Sequence, residues 1–242
     1  VELTHGTLLG GRVRYAQPAH GYRTGIEPVL LAACVPARPG ERVLELGTGA
    51  GAGLLCVAAR VPGILGVGVE RDPAQAAVAA GNFADNGFDG LSAVAADALA
   101  WRSDAVFDHA FANPPWHDSA GTASPVPGRV AAKRAGCGLL AGWASAMARH
   151  LRPRGTLTLI IPAASVAEGM AALSGAACPE IRLLPLWPRQ GSPAKIVVLQ
   201  GFHRGRGTCA VQAGLVLHAA DGGFTDAAQA VLRAGGGLTG AG

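Results

Sequence analysis

From about residue 40 onward, apolar positions alternate between short continuous runs and stretches with a helical period. Arg42-Val43-Leu44-Glu45-Leu46 is a short apolar run halted by glycine-rich sequence, the pattern of a buried parallel strand. Residues 53–61 (GLLCVAARV) read as a helix ended by Pro62-Gly63, and 64–70 as a second strand. A second helix over 73–86 has proline in its first turn and Asn86-Gly87 at its end. Strands are predicted at 91–96 and 106–112, the latter running into Asn113-Pro114-Pro115-Trp116. After a Ser-, Gly- and Pro-rich loop over 117–128 come a long helix (130–151), a fifth strand (156–161) and a helix (163–174). Runs at 181–187 and 196–202 flank a Pro-rich, partly basic turn and read as a strand pair. Such alternation predicts a parallel sheet with helices on both faces. Upstream, residues 7–9 and 12–15 around Gly10-Gly11 read as a hairpin. Downstream, 211–218 reads as a late strand, 226–233 as a short helix and 235–242 as a frayed tail.

Composition narrows the class. A chain of 242 residues, half of them hydrophobic, suits one domain with a sizeable core. No apolar run approaches the roughly 18 residues needed to span a bilayer, so no membrane is expected. The opening Val1-Glu2-Leu3-Thr4-His5 lacks the basic and apolar regions of a secretory leader. Cysteines at 34, 56, 137, 178 and 209 are scattered and never form a CxxC pair. That argues against a disulfide scaffold or metal ribbon and for core thiols in a reducing cytoplasm. Net charge is only +4, and every basic residue except Lys133 and Lys195 is arginine. Coding bias suffices to explain this, although arginine forks also suit phosphate.

Chemistry first appears at Glu45-Leu46-Gly47-Thr48-Gly49-Ala50-Gly51. Glycines at alternate positions between a strand and a helix allow a tight turn and close approach to a ligand. Glu70 closes the next strand, where a carboxylate can accept hydrogen bonds from both hydroxyls of a ribose. A dinucleotide would bring its pyrophosphate to this helix N-terminus, where Glu45 would repel it. The same acid suits the sulfonium and ammonium of S-adenosylmethionine (SAM). Asp97, after the third strand, is placed to meet an adenine amino group, or to cap the segment that follows it.

Asn113-Pro114-Pro115-Trp116 is the more specific signal. Two prolines stiffen a turn at the carboxyl end of a strand, where open α/β sheets bind ligands. The Asn113 side-chain oxygen and the Pro114 carbonyl can accept both protons of one planar amino group, turning its lone pair toward a methyl donor. Catalysis of this kind is positioning with electrostatic complementarity and needs no strong base. Trp116 offers a flat face for a planar target. His117 reads as a loop residue.

Together these motifs resemble those of class I SAM-dependent methyltransferases, and Asn113-Pro114-Pro115-Trp116 resembles the signature of their amino-methylating branch. The blocks at 21–27, 30–33 and 191–195, and the tail from 214–218 through 231–232, are similar to the bacterial valine-tRNA adenine-N6 methyltransferases. The resemblance implies a Rossmann-like, seven-stranded, mostly parallel sheet with helices on both faces, one antiparallel strand and a short N-terminal hairpin. It divides a single domain into an N-terminal hairpin and helix (1–38), a catalytic core (39–203) and a C-terminal extension (204–242). It places Glu45, Gly47, Thr48, Gly49, Gly51, Glu70, Asp97 and Asn113 around SAM. Asn113, Pro114 and Trp116 are its catalytic residues, and Tyr22, Arg23, Pro115, Trp116, Arg189 and Lys195 its substrate contacts. Glutamate stands at 45 and 27 where aspartate is commoner, and Trp116 where tyrosine is commoner.

The implied partner is RNA, foremost tRNA, with no metal. Arg12, Arg14, Arg23, Arg129, Lys133, Arg134, Arg189 and Lys195 are the expected phosphate contacts. Two other classes stay open: an N-methyltransferase acting on a glutamine amide or small molecule, and a catalytically silent SAM- or RNA-binding module.

Overall fold

The computed structural model describes residues 2–20, 23–115 and 129–238, with side chains from 138 onward in the last stretch. A hairpin opens the chain: β1 (Leu3–Leu8) and β2 (Val13–Pro18), joined by a 3-10 turn over Leu9–Gly11. Helix α1 (Glu27–Ala33) leads into the sheet, where β3 (Arg42–Leu46), α2 (Ala52–Arg60), β4 (Leu65–Glu70), α3 (Pro73–Asp85) and β5 (Leu91–Ala95) alternate. Next come β6 (Phe107–Ala112), α4 (Arg129–Ala148), β7 (Leu151–Pro162) and α5 (Val166–Gly175). The chain ends with β8 (Glu180–Arg189), β9 (Ile196–Phe202), β10 (Ala210–Val211), β11 (Leu215–His218) and α6 (Asp226–Leu232).

Local chemistry explains the boundaries. Asp72 caps α3 by accepting the Ala74 N–H at 2.9 Å, Pro73 fills the first helical position, and left-handed Gly87 (φ 68°) follows the helix. Thr225 caps α6 through the Ala228 N–H. On α4, Leu140, Trp143, Ala144 and Met147 are buried at helical spacing, which turns one face to the sheet.

The sheet runs β10-β8-β9-β7-β6-β3-β4-β5, with β11 also on β8, and β9 lies antiparallel between β7 and β8. Neighbouring residues of each strand serve opposite layers. Val43, Phe111, Ile160 and Val198 face the hairpin, α1, α2, α3 and α6, whereas Leu44, Ala112, Ile161 and Leu199 face α4 and α5. The fold is therefore the expected mostly parallel, two-faced α/β sheet. Of the cysteines with described side chains, Cys34, Cys56 and Cys178 are buried and Cys209 is exposed. Among the described residues, no helix is long and apolar enough to cross a membrane.

Two details correct the sequence reading. The sheet has nine strands rather than seven, because the expected late strand joins it along β8 in two pieces, β10 and β11. The break has a side-chain cause. The Trp187 indole donates to the Ala213 carbonyl at 3.2 Å and lies against Gly214, which turns left-handed at φ 84°. The fifth strand also starts earlier than expected. Two steps along β6, from Phe107 to His109, correspond to five along β7, from Leu151 to Thr156, so residues 152–155 bulge outward.

Candidate functional site

All parallel strands end on one edge of the sheet, and β3 pairs with both β4 and β6 there. The chain moves outward from β3 in one direction through β4 and β5 and in the other through β6, which makes the β3–β6 gap the topological switch point. Leu46 pairs with Ala112, so Gly47 and Asn113 are the next residues out on adjacent strands. Glu70 closes β4 and Asp97 follows β5 on this same edge. Antiparallel β9 begins there just after Lys195, and β8 ends there with Arg189. Asn113 is half-buried, Pro114 buried and Pro115 exposed; Arg23, Arg189 and Lys195 are exposed. Tyr22, Trp116 and His117 lie outside the described residues, as do the side chains of Arg129, Lys133 and Arg134.

The glycine loop serves packing as much as ligand approach. Gly47, Gly49 and Gly51 are left-handed, with φ of 70°, 55° and 87°. A Cβ on Gly47 would lie 2.8 Å from the Trp143 ring, and one on Gly51 would lie 2.6 Å from Phe83. At Gly49 the nearest atom would be Gln75 Oε1 at 3.6 Å, so that position alone of the three faces open space.

Glu45 is turned into the protein, only 4% exposed. Thr48 donates its hydroxyl to Glu45 Oε2 at 2.6 Å, and the Leu54 N–H donates to the same oxygen at 3.1 Å. Gly53 leaves room for the other oxygen. Burial pushes the Glu45 carboxyl up to about 8 against those two hydrogen bonds, and the Glu70 charge adds to the rise. Glu45 thus fastens the loop to the start of α2. Glu70 accepts the Gly49 N–H at 3.0 Å through one oxygen and the Asp72 N–H at 3.0 Å through the other. Asp97 Oδ1 accepts the Leu99 and Ala100 N–H groups at 2.8 and 3.0 Å, the capping role weighed from sequence.

One polar residue escaped the sequence reading. Asn82, 2% exposed, accepts the Ala16 N–H and donates to the carbonyls of Ala16 and Ala50, all at 2.8 Å. It ties β2 to the glycine loop. Its signal was a polar residue on the Ala76, Ala79, Phe83 face of α3. Nearby, the Tyr15 hydroxyl meets Thr24 Oγ1 at 2.6 Å, and the Thr24 N–H donates to Gln17 Oε1 at 2.9 Å, which fixes the segment beside Arg23.

Arg12 and Arg14 do not join the site. Both sit toward the hairpin tip, at the amino-terminal edge of the sheet. Arg12 Nη1 donates to the Ala234 carbonyl at 2.5 Å and Arg14 Nη2 to the Asp85 carbonyl, so both guanidiniums cap backbone. A cleft of about 580 Å3 beside Arg12, lined by Ala59, Ile64 and Phe88, also lies at that edge. So does a Thr156–His109–Glu41 chain with contacts of 2.8 and 2.9 Å. Thr156 and His109 are buried, and burial holds the His109 pKa down, which makes the chain an internal pin.

A sheet of this order, with a glycine loop and an acid-ended second strand at its switch point, is the architecture of class I SAM-dependent methyltransferases. A solved structure described as a predicted O-methyltransferase from Agrobacterium tumefaciens shares the fold at TM-score 0.72. It is 23% identical and covers 89% of this chain and 99% of its own. Residues 27–166 match the methyltransferase small domain, and the chain belongs to that family as a SAM-dependent methyltransferase. Two curated relatives carry the name tRNA1(Val) (adenine(37)-N6)-methyltransferase. The Aeromonas hydrophila protein is 28% identical over 84% of this chain and 86% of its own. The Shewanella amazonensis protein is 30% identical over 60% of this chain and 63% of its own.

Proposed function

We propose that this chain methylates the exocyclic N6 amino group of an adenine in tRNA, with Asn113-Pro114-Pro115 holding the nitrogen. The observation that carries the reading is the pairing of Leu46 with Ala112. It sets the proline turn and the glycine loop side by side at strand ends about 4.8 Å apart. The names of the two curated relatives support tRNA adenine as the acceptor. A loop base is also less costly to flip than a base in a duplex. This work belongs in the cytoplasm, in keeping with the scattered thiols.

The residues at the loop fit SAM. Gly49 presents an open face, and Glu70, which accepts the Gly49 N–H, ends beside it where a ribose diol would lie. Glu45, buried and protonated up to about pH 8, fastens the loop to α2 and so holds the shape that would receive the cofactor. When bound, SAM supplies a methyl group made electrophilic by its sulfonium. Gly47, Thr48 and Gly51 shape the turn for its methionine part, Glu70 accepts its ribose hydroxyls, and Asp97 meets its adenine through Oδ2, since Oδ1 is the cap acceptor. Asn113 Oδ1 and the Pro114 carbonyl accept the two amino protons of the target. That draws the nitrogen toward sp3 geometry with its lone pair outward, and the extra proton leaves after transfer. Trp116 and Pro115 stack on the target base, while Tyr22, Arg23, Arg189 and Lys195 hold the RNA around it.

The test is transfer of a tritiated methyl group to tRNA lacking the modification, run beside a release factor. Label is expected in tRNA at an adenine N6. Label in the release factor alone would make a glutamine amide the acceptor and overturn the reading. The Asn113→Ala variant should lose about 100-fold or more in turnover while still binding SAM, because one positioned acceptor is worth roughly that much. Retained turnover would sink the mechanism.

A further inference from the structure

At the amino-terminal edge, opposite the site, three backbone segments cross. The Arg154 N–H donates to the His203 carbonyl at 2.8 Å, His203 N–H to the Gly155 carbonyl at 2.8 Å, and Arg204 N–H to the Ala177 carbonyl at 2.7 Å. Three non-glycine residues adopt left-handed backbone at this crossing: Arg154 (φ 67°), Ala177 (59°) and Arg204 (52°). Glycine would sit at each without strain, yet two of the three are exposed arginines. Glycine is used next door for a separate reason. A Cβ on Gly155 would press on the Asp108 carbonyl at 2.8 Å, and one on Gly205 or Gly207 would press on Glu180 at 2.7 or 2.6 Å. In His203-Arg204-Gly205-Arg206-Gly207, glycine therefore meets the protein while arginine faces water.

The charge here is left uncompensated. Glu180 is tucked under the cluster, 12% exposed, and is engaged by Arg154 at 2.7 Å and the Gly207 N–H at 2.9 Å. Arg182 lies over the Phe202 ring, 4.8 Å from its centroid, with Arg154 at 5.6 Å. Among the described residues, no carboxylate stands within ion-pair distance of Arg182, Arg204 or Arg206, and all three are exposed. An exposed Arg204 in left-handed backbone, an exposed Arg206 two residues on, and Arg182 over the Phe202 ring, none with a carboxylate in ion-pair reach among the described residues, together have the chemistry of a phosphate-binding surface.

We infer that this edge is a second RNA-binding surface, where Arg182, Arg204 and Arg206 hold backbone phosphates away from the loop being methylated. The choice of RNA rests on the proposed tRNA substrate; the anion-binding surface rests on the arginines themselves. With residues 152–155 bulged, the paired stretch of β7 from Thr156 to Pro162 crosses the sheet over about 20 Å to the other edge. An RNA with its target adenine at Asn113 must therefore pass around the sheet, beyond the loop that carries the adenine, to reach it. Contacts of this kind position the substrate without reading sequence, and they weaken steeply with salt.

The test compares the full chain with its Arg182→Gln/Arg204→Gly/Arg206→Gln variant. Binding is measured to whole tRNA and to a stem-loop carrying the target adenine, across a salt series. Arg204→Gly removes left-handed strain, so a melting temperature equal to or above the wild-type value establishes that the variant is folded. Whole-tRNA binding should weaken at least tenfold near 0.1 M salt. The slope of log K against log salt should fall by about 2, at roughly 0.7–0.9 per phosphate lost. Stem-loop binding and stem-loop methylation should stay unchanged. Whole-tRNA binding with wild-type strength and slope would overturn the inference, as would a wild-type chain that binds no RNA. Arginine-dependent tRNA binding without label in tRNA would support this surface and count only against the methyl-transfer reading.

Discussion

Gly47, Gly49 and Gly51 look equivalent in a sequence and are not equivalent in space. Gly51→Ala would meet Phe83 in addition to its left-handed strain, and Gly49→Ala would meet only the strain. Gly49→Ala should therefore cost about 1–2 kcal/mol of stability while abolishing SAM binding, and Gly51→Ala should cost more. Urea unfolding and calorimetric titration with SAM separate the two effects. The sequence marked Glu45 as an acid suited to a cationic ligand, but its depth was not legible. Its partners, the Thr48 hydroxyl and Leu54 N–H, meet it only once the loop has closed. Folded Glu45 keeps its proton to about pH 8, and the unfolded chain gives it up near 4.5. Between those values the folded state binds more protons, so its stability falls as pH rises from 4.5 to 8. Glu45→Gln should flatten that part of the curve, which melting temperatures at pH 5 and pH 8 will show. Equal slopes in both proteins would count against a buried, protonated Glu45.

Elements with chemical punctuation were read well. Pro73 and Asn86-Gly87 bracket α3, and the observed helix ends within one residue of the reading. The end of β6 at Ala112, just ahead of Asn113-Pro114-Pro115, was equally plain, because two prolines leave few backbone options. What failed depended on distant side chains. The division of β10 from β11 hangs on the Trp187 indole, 26 residues from the carbonyl it binds. Asn82 reaches Ala16 and Ala50 across 66 and 32 residues, separations that no local period encodes. Asn82→Leu would strand one buried N–H and two carbonyls, so it should lose about 3 kcal/mol in urea unfolding. Removing the α6 cap with Thr225→Ala should lose about 1 kcal/mol by the same measurement.

For the whole molecule, periodicity gave the strands and the layers and resemblance the one antiparallel strand, but the strand order is seen only in the structure. Nothing in residues 196–202 marks β9 as the strand inserted antiparallel between β7 and β8. Net charge was similarly silent about placement. A total of +4 does not say that Arg12 and Arg14 cap carbonyls while Arg204 and Arg206 stand in water. The Asn82 clamp has one more consequence, which is thermodynamic. Because one side chain holds both β2 and the Ala50 carbonyl of the glycine loop, whatever steadies the loop must steady the hairpin by the same free energy. Amide hydrogens of residues 15–17 should then exchange more slowly when SAM is present, although no atom of the hairpin need touch it. Deleting residues 1–18 should weaken SAM binding by a matching factor. The N-terminal hairpin would then act as a distant brace whose grip and the ligand's are a single reciprocal quantity.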